Sequence, residues 1–367
     1  MRIGVNGRFY AAPVTGVQRF ARELCDRLFG RLDVTLFLPH GAPPPDDRPD
    51  GLRVVAGRLA GHAWEQLELP WRARADGCDV ILHPANTAPI WGGPHLMVVH
   101  DVLALTHPQW FARRFAWWYR FALGRAARRA AAVVTVSQWA AAEITRVLAI
   151  PAERVHVVPQ GVEPFDRPAP ITTVRRLRQR LGLRGPYLLT AGGIQTRKNL
   201  GFLLDLLDRW RVRVGDPPLL AVVGEAGRYA RPSTMLLPEP DNLEVRFLGH
   251  VDDAQLHALY TGAAAFCFPS LAEGFGRPPL EAMACGTPTL VAAYGPAAEV
   301  LGDGALILPL DVDTWIDALV GLLAGGQARE RLIERGRRVA ARYRWEPAAT
   351  AIADLCHTAA AAAARRG

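Results

Sequence analysis

Nowhere in the 367 residues does an uninterrupted apolar run reach the roughly 18 residues that a membrane-spanning helix requires. The N-terminal MRIGVNGRFY carries Asn and Gly inside its short apolar stretch, so it reads as a first strand and not as a signal peptide. Cysteine is scarce. Cys25, Cys78, Cys267, Cys285 and Cys356 are odd in number and scattered, with no CxxC pair and no histidine at ligand spacing. That argues against a disulfide framework or a structural metal, and the five are read as reduced thiols. Several catalytic signatures are missing too. No GxxxxGK[ST] occurs, the one GFG lacks the third glycine of GxGxxG, and no acid follows it by about 20 residues, so P-loop hydrolysis and hydride transfer are disfavoured. The absence of HExxH and GxSxG removes support for metal-assisted hydrolysis and for an acyl-enzyme. No repeat of fixed short period is visible.

What is present is a globular composition, 50% apolar and 21% charged, in a chain longer than one hydrophobic core usually supports. The expected location is the cytosol. A net charge of +8 and a pI near 9.7 point to an anionic partner: nucleic acid, an anionic membrane surface or an anionic substrate. No recognisable nucleic-acid module accompanies the charge, so nucleic acid is not expected.

Short β-branched runs alternate with helical stretches: RIGVN, VTLFL, DVILH, LMVVH and AVVTV, then YLLTAGG, LLAVVG, LEVRFLG, AFCFP and TPTLVAA. Such alternation predicts parallel sheets covered by helices on both faces. Four prolines between 159 and 170 mark a linker. The expected organisation is α/β, with two Rossmann-like doubly wound domains facing a cleft. Residues 1–168 would form the first domain and 169–344 the second, and an alanine-rich helix over 345–367 would cross back to the first. Ligands of such sheets bind beyond the carboxyl ends of the strands.

At one such end, AAFCFPSLAEGFGRPPLEAMACG parses as strand, glycine loop and a helix opening near Pro278. Gly274 and Gly276 would let backbone approach a ligand, and the helix start would favour an anion. Glu273 and Glu281 would bracket a sugar nucleotide, Glu281 accepting from a vicinal diol; the competing reading is a helix-dipole partner and a solvated helix residue. At a second strand end, TAGGIQTRKNLGFLL sets Arg197 and Lys198 beside a glycine pair, which suits a diphosphate or is a plain surface basic pair. Gly16 opens the first long helical pattern. His100 closes LMVVH, where it either faces a ligand or serves structure. In DVDT, Asp313 reads as a helix N-cap in preference to a metal ligand. Residues 110–129 interleave six arginines with aromatic rings, and no acid lies between Asp101 and Glu143. This stretch either lies on an anionic bilayer or packs its rings inward.

Together these residues resemble the retaining glycosyltransferases of family 4, which have the two-domain GT-B fold. EGFGRPPLEAMACGTP is similar to that family's Glu-seven-residues-Glu signature, and TGVQRF, VVHDVLALTHP, AVVTVSQW, RKNL, GHVDDAQLHALY and YRWEPAA stand in the family's order over nearly the whole chain. The resemblance implies that Glu273 contacts donor-sugar hydroxyls and Glu281 the ribose. It implies that Arg197 and Lys198 neutralise the diphosphate, aided by backbone around Gly274, Phe275 and Gly276, with Gly193 and Leu280 in the donor-binding set. His100 would lie near the donor sugar, and Gly16 near the phosphates and acceptor. Glu273, His100, Arg197 and Lys198 are the catalytic candidates. The chain departs from the family pattern in Gly192-Gly193 where Gly-Arg is common, in Arg277 within GFGxP, and in Gln160 within the PxGV turn.

The implied activity is transfer of a sugar, first of all mannose from GDP-mannose, to a glycan or lipid-linked acceptor with retention of configuration, in surface-polysaccharide biosynthesis. No metal and no cofactor beyond the nucleotide-diphosphate-sugar substrate is expected. The enzyme is expected in the cytoplasm or peripherally at the inner face of the membrane. The alternatives are a sugar-nucleotide epimerase of related fold and a non-catalytic sugar-nucleotide-binding partner.

Overall fold

The computed structural model describes residues 1–47, 49–225 and 245–365. The chain forms two compact units. The first comprises Met1–Thr106, Arg113–Gly161 and Arg344–Gly367, the second His107–Ala112 and Val162–Tyr343.

The sheet of the first unit has seven parallel strands: β1 (Arg2–Asn6), β2 (Asp33–Leu38), β3 (Arg53–Ala56), β4 (Val80–His83), β5 (His95–Val98), β6 (Ala132–Thr135) and β7 (Val155–Val157). Their spatial order is β3-β2-β1-β4-β5-β6-β7. The reversal at β1 places the ends of β1, β4 and β5 side by side, where doubly wound sheets bind ligands. Strands β1, β4, β5 and β6 are covered on both faces and so read as continuous apolar runs. The helix Gly16–Leu28 buries Phe20, Ala21, Leu24, Cys25 and Leu28 along one stripe. It packs on the C-terminal helix Trp345–Ala364, with Phe20 edge-on to Trp345 at 5.4 Å.

The second unit repeats the plan with β8 (Tyr187–Ala191), β9 (Leu219–Val223), β10 (Val245–Gly249), β11 (Ala265–Phe268), β12 (Thr289–Ala292) and β13 (Leu306–Leu308), in the order β10-β9-β8-β11-β12-β13. The core on one face joins the helix Leu200–Arg213 to Val312–Leu323, where Phe202 meets Trp315 at 5.1 Å.

The expected boundary at 168/169 moves to 161/162. Residues 162–168 are held by the second unit: Val162 N–H donates to Tyr343 O, and Phe165 lies edge-on to Tyr260 at 5.8 Å. The N-cap of the helix after β13 is Asp311, which accepts from Thr314 N–H at 2.8 Å, and not Asp313. Asp313 instead pairs with Arg209 and Arg213. Within residues 110–129 the rings divide. Tyr119 is buried, whereas Trp117 stands 68% exposed on the outer face of the helix Arg113–Arg129, stacked on Phe121, which carries Arg125 at 3.9 Å. All five cysteines are free thiols. Among the described residues no helix is long and apolar enough to cross a membrane.

Candidate active site

In the second unit, the end of β8 and the end of β11 are tied together by side chains and backbone alike. Leu271 N–H donates to Arg197 O at 2.8 Å, and Ser270 Oγ lies 3.1 Å from the same carbonyl. This lacing fixes the Thr196–Lys198 turn against the loop that carries Glu273. Three donors then converge on one atom, Glu273 Oε1: Arg197 Nη1 at 2.5 Å, Lys198 Nζ at 2.7 Å and Ser270 Oγ at 2.6 Å. Burial alone would raise this carboxyl, but the charges of Arg197 and Lys198 outweigh it and hold the group at about 2. Two cations face this one carboxylate at the strand end. A charge-assisted network of this kind presents an anion with donors already in place.

The glycine pair has a steric reason. Gly192 has φ +125°, and a Cβ there would lie 2.9 Å from Lys198 Nζ; Gly193 has φ +81°, and its Cβ would meet Glu225 O at 2.7 Å. An arginine in place of Gly193 would be both strained and obstructed in this chain. The Lys198 ammonium also sits 4.4 Å above the Phe268 ring. A small pocket is lined by Thr190, Gly193, Lys198, Val223 and Phe268.

The expected helix begins one residue before Pro278, running Arg277–Ala284 with Gly276 as its N-cap at φ +94°. Tyr294 Oη lies 2.0 Å from where a Gly276 Cβ would stand, so only glycine fits. Phe275 is buried, edge-on to Tyr343 at 5.6 Å. Gly274 is buried in the same loop. Leu280 is 0% exposed, its side chain packed in the core. Glu281 is not a solvated helix residue either. It is 4% exposed, with Oε2 accepting from Tyr260 Oη at 2.9 Å and Oε1 2.7 Å from Arg277 Nε. The unusual Arg277 is therefore the ion-pair partner of Glu281 one turn along the helix.

His100 and Gly16 belong to the first unit. His100 follows β5 but is enclosed, 4% exposed and edge-on to Phe20 at 4.6 Å. Its Nε2 is 3.2 Å from Pro84 O, so the proton sits on Nε2 and Nδ1 is left as acceptor. Burial depresses the ring to about 4. The unfolded chain protonates this ring below about 6.5, the folded chain only below about 4. Stability should therefore fall by about 1.4 kcal/mol per pH unit on its account as pH drops through that window. Urea unfolding between pH 4 and 7 should show a shallower slope in His100→Gln than in the parent; equal slopes would remove the assignment. Gly16 opens its helix with no atom within 4 Å of an added Cβ, so nothing inside the unit demands glycine there.

Sequence reasoning overlooked Ser270, Phe268, Tyr260 and Tyr294. It also passed over a compositional signal: Lys198 is the only lysine among the 43 Lys and Arg residues.

Two doubly wound parallel-sheet units in one chain are the architecture of the GT-B fold. The family model described as "Glycosyl transferases group 1" matches residues 174–339, and that described as "Glycosyltransferase Family 4" matches 14–164. The chain belongs to the family 4 glycosyltransferases. It is 29% identical to the O-antigen chain mannosyltransferase B of Escherichia coli over 370 residues, covering 92% of this chain and 94% of that one. Among solved structures it is similar to a sucrose-phosphate synthase from Thermosynechococcus elongatus, with TM-score 0.74 and 18% identity over 99% and 100% of the two chains. It is similar also to Anabaena HepE in complex with UDP-glucose, with TM-score 0.72 and 18% identity over 98% and 100%.

Proposed function

We propose that this enzyme transfers mannose from GDP-mannose to a glycan hydroxyl, with retention of anomeric configuration, in the assembly of a surface polysaccharide. The observation that carries the reading is the convergence of Arg197, Lys198 and Ser270 on Glu273 Oε1. As the bond from the anomeric carbon to phosphate breaks, negative charge gathers on the leaving diphosphate. Preformed cations stabilise that charge more than they stabilise the ground state. In this reading Arg197 and Lys198 hold the diphosphate, Glu273 keeps them in register and meets the donor sugar, and Glu281 binds the ribose from a carboxylate oriented by Arg277 and Tyr260. The roles that the resemblance gives His100 and Gly16 form part of the same proposal, and no metal is invoked.

The similarity to an O-antigen mannosyltransferase along nearly the whole chain supports the choice of sugar. The exposed Trp117, Phe121 and Arg125 stripe supports a membrane-bound, lipid-linked acceptor. Incubation with GDP-mannose and with UDP-sugars, each with and without a mannose-terminated acceptor, tests the whole. Acceptor-dependent release of GDP with an α-linked product by NMR is the expected result. A β-linked product would refute retention, and conversion of the donor alone would point to an epimerase. Anionic vesicles should bind the parent and bind poorly a variant changed at Arg113, Arg114 and Trp117; equal binding removes the membrane part.

A further inference from the structure

Tyr294 stands just past the end of β12, in a turn closed by its own N–H to Ala292 O at 2.8 Å and by Ala297 N–H to its carbonyl at 2.9 Å. From this anchor the side chain reaches the glycine loop that follows β11. Its ring meets Phe268 edge-on at 5.8 Å, and the same Phe268 carries the Lys198 ammonium at 4.4 Å. Its hydroxyl lies against Gly276, where an added Cβ would overlap it. The residue is 4% exposed, and Oη has no hydrogen-bond partner among the described residues. Buried hydroxyls are normally paired, so an orphan one calls for a physical account. Burial, and after it the charge of Glu273, push this phenol well above its ordinary range, so it keeps its proton and remains able to donate.

Glu273 has the opposite imbalance. Its Oε1 takes all three donors, from Arg197, Lys198 and Ser270, and two of these are the cations that the nucleotide-sugar reading gives to the diphosphate. A diphosphate that draws Arg197 and Lys198 to its own oxygens leaves Ser270 alone on a carboxylate whose side chain is 12% exposed. A largely buried carboxylate short of donors is costly. One uncommitted O–H stands against the very loop in which that shortage arises.

We infer that Tyr294 is a positioning residue for sugar transfer: its hydroxyl donates to Glu273 once the diphosphate has taken the two cations, and so holds that carboxylate in place beside the sugar. This rests on the nucleotide-sugar reading and adds to it a residue from outside the Glu-seven-residues-Glu segment. A hydroxyl unpaired in the empty site and paired in the loaded one contributes its hydrogen bond to ligand affinity and none of it to the stability of the empty chain. A Tyr294 that merely filled space over Gly276 would need only its ring.

Tyr294→Phe removes the hydroxyl and keeps the ring. The ligand-free variant should unfold in urea at the parent midpoint or above it, since replacing an unpaired buried hydroxyl is neutral or stabilising. Isothermal titration of the full chain with GDP and with UDP should show Kd raised about tenfold for whichever nucleotide the parent binds, the effect of one hydrogen bond to a charged group. Glu273→Ala keeps both cations, and in that background Tyr294→Phe should change Kd by less than about twofold. A lower midpoint for ligand-free Tyr294→Phe means that the hydroxyl is already paired, and a Kd within about twofold of the parent means that it gains nothing on loading; either result refutes this inference alone. A tenfold loss that persists without Glu273 assigns the hydroxyl to the ligand and refutes its pairing with the carboxylate. A parent that binds neither nucleotide refutes the nucleotide-sugar reading and this inference with it.

Discussion

Lys198→Ala should lower kcat for sugar transfer by about 100- to 1,000-fold, the effect of removing one preformed donor from a developing oxyanion. Substrate affinity should weaken less, because Arg197 remains on Glu273 and still offers a cation. The reason for so large an effect is where the ammonium stands. It lies over the Phe268 ring, 2.7 Å from Glu273 Oε1, in the space left by the missing side chain of Gly192. A chain that uses arginine at every other cationic position keeps lysine here. A compact point charge on a flexible stem is not interchangeable with a planar guanidinium at a site this close to backbone and ring. Lys198→Arg should therefore fail to restore the parent rate. Single-turnover kinetics with saturating donor provides the measurement, and a kcat within threefold of the parent for Lys198→Ala would overturn the role.

Glu281→Ala should destabilise the fold by about 3 to 5 kcal/mol, because it removes a carboxylate paired with the buried Arg277 guanidinium. The two side chains are only 5–6% exposed, so solvent does little to screen the loss. Tyr260 loses its acceptor as well. Replacing both members, Arg277→Leu with Glu281→Leu, should recover most of that stability, since a buried ion pair contributes little net stability compared with well-packed apolar groups of similar size. Urea midpoints of the parent, both single variants and the double variant form the required cycle. If Glu281→Ala unfolds at the parent midpoint, the pair does not carry the charge balance described. The cycle also matters for donor binding. Loss of a nucleotide-induced shift in Glu281→Ala alone confounds binding with folding, whereas Tyr260→Phe perturbs the carboxylate while leaving the ion pair in place.

The ten expected strands all appear, and the three that escaped sequence reading, β3, β7 and β13, are each at the edge of a sheet. Their residues are only half buried, so RVVA, VHV and LIL lack the long apolar run that two covered faces impose on a central strand. In the site, Arg197, Lys198 and Glu273 were readable because strand ends and glycines announce where backbone and charge can meet a ligand. Their mutual contact was not, as 75 residues separate Lys198 from Glu273. Arg277 and Glu281 sit at helical i,i+4 spacing, yet whether that pair faces water or core depends on what covers the helix.

From sequence alone came the two-unit α/β plan, the strand-end positions of the cations and acids, and the family. These follow from periodicity, glycine placement and motif spacing, which are local properties of the chain. Packing alone decided that Glu273 holds both cations, that Leu280 and His100 are enclosed, and that Arg277 is matched by Glu281. Burial and charge pairing are set by residues far apart in the chain, and only the folded arrangement brings them within a few ångströms of each other.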